Sequence, residues 1–193
     1  MMNALRPGLV EWVRMWRAAI PGFRVDSLWV VDRRLWTPVW EQLPPSPWED
    51  EISARVLTIS PPDSAFDVWI DADQSIAESN SGEITIGGEP DSRSELIDRR
   101  GNRSIGIFEA GTGAGAHWAH WFGPGRFALA GWSNASDYGH WNQGWISIYS
   151  IPDSSVTHYV TRIIPWEKFQ LYSAEWEKWI AGRYRFFKRR ASK

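Results

Sequence analysis

The chain has 193 residues and a mass of 22.2 kDa, with 21 lysines and arginines against 23 acidic residues. This length predicts one domain with a sizeable core. The absence of cysteine excludes disulfides, thiolate metal sites and a cysteine nucleophile. No uncharged apolar run is long enough for a membrane-spanning helix, and residues 1–24 lack the pattern of a secretory signal peptide.

Charge is unevenly distributed along the sequence. Residues 1–40 hold six arginines and three acidic residues, whereas residues 41–98 hold fourteen acidic residues and two arginines. This asymmetry predicts surface fields of opposite sign, and the acidic middle argues against nucleic-acid binding because phosphates would be repelled. The basic tail, residues 183–193, is interpreted either as a solvated helix end or as a contact for phosphate, lipid headgroups or an acidic protein face.

An amphipathic helix is predicted near the N-terminus, where apolar residues recur at helical spacing over residues 5–20 and a Pro-Gly pair follows. Trp12 and Trp16 lie on its apolar face, and Arg14 and Arg17 lie beside that face. The pattern fits a helix that docks on a partner or on a membrane interface. It fits equally a helix that packs on the core of its own chain.

The proline-rich segment 43–47 is predicted to be a stiff linker, and it is the best domain boundary in the sequence. Three parts are therefore predicted. They are an N-terminal helix with a docking extension (residues 1–50), a β-sandwich (residues 51–165), and a C-terminal helix with a basic tail (residues 166–193).

Residues 52–164 alternate between apolar and polar residues or are rich in β-branched residues, with turn signals between the segments. About eight short strands of this kind predict a mainly β fold, an antiparallel β-sandwich or jelly roll, flanked by the two helices. The clearest predicted strands are residues 55–59, 66–70, 83–86, 104–108, 117–122, 126–130, 145–149 and 156–160.

A closing helix with a wide aromatic stripe is predicted over residues 165–190. Aromatic residues and arginines anchor many protein interfaces, so both terminal helices are predicted to be docking elements. The interface candidates are Trp12, Arg14, Trp16, Arg17, Trp176, Trp179, Tyr184, Phe187, Arg189 and Arg190.

Three histidines, His117, His120 and His140, raise the question of a metal site. His117 and His120 stand in a predicted strand, where residues three apart point to opposite faces. No paired carboxylate is evident nearby in the sequence. A metal site is therefore not predicted.

An acidic turn at Asp71 and Asp73 begins like an EF-hand loop, but Ile76 and Gly82 stand where glycine and glutamate are required. An EF-hand is therefore excluded. A looser calcium site at the edge of the sandwich, made by Asp71, Asp73 and Glu83, stays open beside a solvated acidic turn.

Two further segments resemble catalytic or cofactor motifs. Ser133 lies in a Gly-Trp-Ser-Asn-Ala sequence like a nucleophile elbow, but the residues that follow indicate a loop, and the elbow requires a helix. Residues 111–115 are rich in glycine but precede a predicted strand, so a phosphate cradle would lack its helix dipole. The sequence therefore predicts no enzyme activity and no cofactor.

Four segments carry a resemblance to a known family. Residues 63–84 contain a Trp, an Asp, a Ser and a following apolar strand, and residues 104–111 run into a Gly-rich turn. Residues 137–154 contain an Asp-led strand and a hairpin. Residues 164–169 have the sequence Ile-Pro-Trp-Glu-Lys-Phe. Residues 54–170 thus resemble the complex I intermediate-associated protein family. Here Pro and Ser replace glycines of the family's hairpin, and an aromatic helix replaces its final strand. The resemblance implies a galactose-binding-like jelly roll without catalysis that helps to build or decorate mitochondrial membrane complexes.

The expected function is that of a non-catalytic accessory or assembly subunit of a mitochondrial respiratory-chain membrane complex. It would bind other protein subunits, with a peripheral membrane contact. The matrix side of the mitochondrial inner membrane is the favoured location, and the cytoplasm is the alternative. One alternative is a carbohydrate- or small-ligand-binding sandwich in which Trp118, Trp121, Trp132 or Trp141 stacks on sugar rings. A second alternative is an acidic inhibitor or immunity-type protein whose residues 49–98 mask a basic enzyme.

Overall fold

The computed structural model describes residues 7–43, 52–61, 65–70, 74–88, 91–136 and 140–191. Two antiparallel sheets pack face to face, and two helices cover the outer face of the first sheet. This arrangement confirms the predicted β-sandwich flanked by helices.

The first sheet is built mainly from a meander in the C-terminal half of the described chain. Its strands, in spatial order, are β1 (Trp29–Leu35), β12 (Ser155–Val160), β11 (Trp141–Ser150), β10 (Arg126–Asn134) and β9 (Ala114–Gly123), with β13 (Ile164–Pro165) paired to β11. A Gly-Pro-Gly turn, one of the turn signals in the sequence, joins β9 to β10, and Gly125 takes a φ of 62° there, a conformation that favours glycine.

The second sheet lies under the first. Its strands, in spatial order, are β2 (Glu41–Gln42), β8 (Arg103–Ala110), β7 (Ser92–Asp98), β4 (Phe66–Trp69) and β3 (Thr58–Ile59). A separate hairpin is formed by β5 (Gln74–Glu78) and β6 (Ile84–Gly88). The helices are α1 (Val10–Ala19), α2 (Ile52–Leu57) and α3 (Trp166–Ala191).

Aromatic rings fill the space between the two sheets. Phe108 stacks on Trp145 with ring centroids 4.7 Å apart, and Phe127 stacks on Tyr149 at 4.8 Å. The Tyr149 hydroxyl donates a hydrogen bond of 2.6 Å to the Ile107 carbonyl of the opposite sheet. Burial raises the pKa of Tyr149, so this hydroxyl stays protonated and keeps the bond.

Helices α1 and α3 pack against each other on the outer face of the first sheet. The Trp16 ring lies 4.5 Å from the Tyr172 ring, and both residues are fully buried. A Cβ added at Gly144 of β11 would come within 2.6 Å of the Trp16 ring. The sheet therefore needs glycine at this point to let the helix approach.

One predicted strand is wrong. Residues 55–59 do not form a strand throughout, because residues 52–57 form α2 and only Thr58 and Ile59 pair with β4. The Arg183 guanidinium of α3 donates to the carbonyl oxygens of Val56 and Thr58, and the Thr58 hydroxyl donates to Ala54. These hydrogen bonds satisfy carbonyl groups at the C-terminal end of α2, a helix that the local alternation of residues did not predict.

The N-terminal segment is more than a helix with an extension. Strand β1 pairs with β12, so that Val30 lies opposite Tyr159, and β2 pairs with β8. Residues 29–42 thus add a strand to each sheet, and the sandwich does not begin at residue 51 as predicted. The predicted linker residues 44–47 lie outside the described residues.

Candidate ligand-binding cleft

A cleft of about 510 Å³ lies between the N-terminal half of α3, the β5–β6 hairpin and the end of the first sheet at β9 and β10. This volume is in the range of small-molecule sites. Its aromatic lining, called here the cleft aromatics, consists of Trp132, Trp166, Phe169 and Trp176. Strand residues and hairpin residues complete the walls.

The buried end of the cleft is organised by His117. The Trp132 indole Nε1 donates to His117 Nε2 at 3.2 Å, and His117 Nδ1 lies 3.2 Å from the Tyr172 hydroxyl. Because Nε2 accepts, the ring proton of neutral His117 is placed on Nδ1, where it donates to Tyr172. The imidazole also stacks on Trp176, with centroids 3.9 Å apart and planes 11° from parallel.

Burial fixes the charge state of this histidine. Desolvation lowers the pKa of His117 to about 3, so its imidazole is neutral at physiological pH. Both ring nitrogens are already hydrogen-bonded, and the Trp176 ring stacks on the imidazole. His117 is therefore a structural residue that holds Trp132 and Trp176 in place.

A β-bulge brings His117 to the cleft. The pairing of β9 with β10 shifts register between Ala130 and Gly131, so His117 is the extra residue of β9 at this point. His117 contacts α3, and the ring of His120 lies against Gly8 at the start of α1. Both histidines thus face the helices, which corrects the expectation from the sequence that they point to opposite faces.

Gly115 keeps room for the bond between Trp132 and His117. A Cβ at this position would lie 2.9 Å from Trp132 Nε1 and 3.2 Å from His117 Nε2. Any larger residue would therefore push the indole away from the imidazole.

One face of α3 supplies much of the cleft wall. Trp166, Phe169, Ser173 and Glu177 follow one another at intervals of three or four residues, which places them on the same side of a helix. The Phe169 ring lies 4.6 Å from Trp132 and 5.3 Å from Trp166. Phe169 is buried, whereas Trp166 is 41% exposed, so the wall runs from the core to solvent.

Acidic side chains from three different elements surround the aromatic wall. Glu83 precedes β6, Asp91 precedes β7 and Glu177 belongs to α3; all three are exposed. Among the described residues that line the cleft, none is a lysine or an arginine. The arrangement can hold a molecule with an apolar face, and it favours neutral or positively charged molecules over anions.

The metal and catalytic candidates among the described residues are not brought together. His140 is exposed, and its carbonyl oxygen accepts a hydrogen bond from the Trp166 amide. The described residues contain no group of three side chains that could hold a metal ion, and Asp71 and Asp73 of the calcium hypothesis lie outside them. Ser133 lies within β10 rather than at a strand-to-helix turn, and residues 111–113 connect β8 to β9.

The four tryptophans named as candidates for stacking on a sugar ring do not share one face. Trp118 packs on Trp179 at 4.8 Å and donates to the Gly8 carbonyl, whereas Trp121 is buried and donates to Ile59 of the other sheet. Trp141 is half-exposed, and only Trp132 lines the cleft. The alternation of side chains along β9 separates neighbouring tryptophans.

Most of the aromatic interface candidates pack within the chain, which corrects the expectation that they present a docking surface. Trp12 and Trp16 are fully buried, and Trp176 and Tyr184 are no more than 8% exposed. Trp179 and Phe187 are partly buried against the core. A partner could reach the buried rings only if the helices separated from the sheet.

The arginine candidates behave differently. The side chains of Arg14 and Glu175 form an ion pair between α1 and α3, and Arg17 donates to the Phe23 carbonyl at 3.0 Å. Arg189 and Arg190 are exposed at the end of α3. These two remain candidates for contact with an acidic surface.

The acidic segment is neutralised in part by cations from other segments. Asp67 pairs with Arg99, Glu78 pairs with Lys188, and Asp98 accepts from Arg103 at 2.9 Å. The Arg103 and backbone donors lower the pKa of Asp98, although its burial opposes them. The surface field expected for the inhibitor hypothesis is therefore weaker than the sequence predicts.

Sequence reasoning missed the cleft. The stripe that contains Trp166, Phe169 and Trp176 was interpreted as a docking face, because the acidic residues opposite it come from distant segments. The one available signal was Glu177 at helical spacing from Trp166, Phe169 and Ser173.

Comparisons with protein-family models, with curated proteins and with solved structures find no match for this chain. The resemblance of residues 54–170 to the complex I intermediate-associated protein family therefore stays a prediction. Within the described ranges, no helix combines the length and the hydropathy needed to cross a bilayer.

Proposed function

We propose that this protein is a non-catalytic binding protein whose cleft holds a small organic molecule. The observation that carries the proposal is the wall of cleft aromatics, which extends from buried Phe169 to half-exposed Trp166 beside three acidic side chains. Exposed aromatic faces with a few convergent polar groups are typical of ligand sites.

The state of His117 favours binding over catalysis. A general base needs a pKa near the working pH and access to the substrate. Burial lowers the pKa of His117 to about 3, and both of its ring nitrogens are already hydrogen-bonded within the protein. Its role in the cleft is to orient Trp132 and Trp176, which supports a preformed binding surface.

Titration monitored by tryptophan fluorescence and calorimetry tests this proposal. The panel consists of methyl glycosides, disaccharides and small alkylammonium salts. We expect at least one of these classes to bind, and Trp166→Ala to weaken that binding about tenfold through loss of the exposed ring face.

Trp29→Ala is the matched control. Trp29 is 48% exposed, much like Trp166, but it lies on β1 at the opposite edge of the first sheet. The control should bind as the parent protein does. Binding that is equally insensitive to Trp166→Ala, or no binding by any class in the panel, would overturn the proposal.

A second candidate function is the accessory or assembly subunit that the family resemblance implies. It is favoured by edge strand β1 and the segment after it, where large apolar side chains face solvent. Their exposed fractions are 51% for Val30, 54% for Val31, 82% for Leu35 and 74% for Val39. Exposed apolar edge strands are sites at which partner strands add.

Purification from native membranes in mild detergent, followed by sizing and mass spectrometry, tests this candidate. Co-migration with respiratory-chain subunits that is lost in a Val31→Lys, Leu35→Lys double variant would support it. Recovery of the parent protein as a lone soluble monomer would overturn it.

A further inference from the structure

We propose that the cleft selects a small organic ammonium ion over a neutral molecule of the same shape. The inference deepens the proposed function and rests on it. Four aromatic rings and three acidic side chains converge on one cavity, and each class of residue attracts a cation by a different mechanism.

The first mechanism is the attraction of a cation to aromatic faces. Indole rings provide the strongest cation–π sites among side chains, and quaternary ammonium groups are commonly bound between several aromatic rings. Phe169 lies between Trp132 and Trp166, tilted by 41° and 39° to them. Trp166, which is 41% exposed, offers a ring face that a ligand in the cleft can contact.

The second mechanism is the negative potential at the mouth of the cleft. Glu83, Asp91 and Glu177 come from a hairpin, a strand start and a helix, so the folded chain alone brings them to one cavity. In the described structure, no ion pair joins any of the three to a lysine or an arginine. Their charge is therefore available to a ligand.

The cavity wall supplies no positive charge to oppose this potential. The described lining has no lysine or arginine, and its single histidine is neutral because burial lowers the pKa of His117 to about 3. Low-dielectric aromatic walls strengthen the interaction of the acidic groups with a cation.

Choline and 3,3-dimethylbutan-1-ol provide the decisive pair of probes. They have the same shape and the same hydroxyl group, but only choline carries a charge. We expect the full-length protein to bind choline about tenfold more tightly in calorimetry. Raising the salt concentration should weaken choline binding and leave binding of the neutral alcohol unchanged.

Two variants locate the effect. Glu177→Gln should weaken choline severalfold, whereas Glu167→Gln, which removes the same charge from an exposed site on α3 outside the cleft, should not. Trp166→Phe should retain more choline binding than Trp166→Ala because it keeps an aromatic face. Circular dichroism of each variant checks that the fold is intact.

The outcomes separate this inference from the proposed function. Equal binding of choline and the alcohol, or binding of a glycoside without choline, overturns the inference and leaves the cleft a ligand site. Failure of both probes and of every glycoside overturns both. Choline binding that Glu177→Gln and Trp166→Ala leave unchanged overturns the assignment to this cleft.

Discussion

Two groups of aromatic residues lie along α3, and they differ in whether any member is exposed to solvent. The helix-packing cluster, Trp12, Trp16, Phe23 and Tyr172, is at most 3% exposed and fills the space between α1, α3 and the first sheet. The cleft aromatics end at Trp166, which is 41% exposed. His117 joins the two groups because it contacts both Tyr172 and Trp176.

The difference shows that residue type does not assign a role to an aromatic stripe. Both groups consist of tryptophan with phenylalanine or tyrosine. The helix-packing cluster is closed because α1 covers it, whereas no helix of the described chain covers Trp166. The first group should therefore determine stability, and the second should determine binding.

The largest effect is expected from Trp16→Ala. This change removes a fully buried indole that packs on Tyr172, and it should lower the free energy of unfolding by about 3–5 kcal/mol. Urea denaturation monitored by circular dichroism measures the loss. Trp29→Ala serves as the exposed control, and a loss for Trp16→Ala as small as that of the control would contradict the division between the two groups.

The next effect concerns His117, the residue shared by both groups. His117→Gln should cost about 1–3 kcal/mol at neutral pH because the partners Trp132 and Tyr172 lose well-placed bonds. Urea denaturation at pH 7 measures this loss. A variant as stable as the parent protein would show that these bonds contribute little.

The low pKa of His117 also predicts how the stability of the protein changes on acidification. The pKa of His117 is about 3 in the folded protein and near 6.5 when unfolded, so below pH 6.5 only the unfolded chain binds this proton. Stability should therefore fall on acidification towards pH 3, by up to about 1.4 kcal/mol per pH unit from this group. His117→Gln should flatten this dependence in denaturation series at several pH values, whereas exposed His140→Gln should not.

Gly115→Ala should perturb the boundary between the two groups more mildly. The added Cβ would lie 2.9 Å from Trp132 Nε1, and the expected cost is about 1–2 kcal/mol together with a shift of the indole. Denaturation and the tryptophan emission maximum measure the two effects. Gly182→Ala, where a Cβ meets no atom within 4 Å, is the control and should not destabilise the protein.

The smallest stability effect is expected from Trp166→Ala. Trp166 is 41% exposed, so its removal should change the free energy of unfolding by less than about 1 kcal/mol while ligand affinity falls. Parallel denaturation and calorimetric titration measure both quantities. A large loss of stability would place Trp166 with the helix-packing cluster instead.

Local patterns predicted the elements whose side chains follow one period. Helix α1 and helix α3 appear where apolar residues recur at helical spacing, and the β9–β10 hairpin forms at its Gly-Pro-Gly turn. Strand β7 was missed because Ser92–Asp98 contains three charged residues in seven. The guanidinium of Arg93 and the carboxylate of Glu95 form an ion pair with an N–O distance of 2.5 Å, a contact that the sequence pattern does not reveal.

The sequence by itself determined the class of fold, the two terminal helices and the aromatic stripe of α3, because periodicity and turn chemistry act over a few neighbouring residues. Only the tertiary structure decided which tryptophans are covered and which acidic groups pair with a cation. Asp98 meets Arg103, whereas Glu83, Asp91 and Glu177 meet around one cavity. Burial and pairing between distant segments depend on how the sheets and helices pack, so no local pattern contains them.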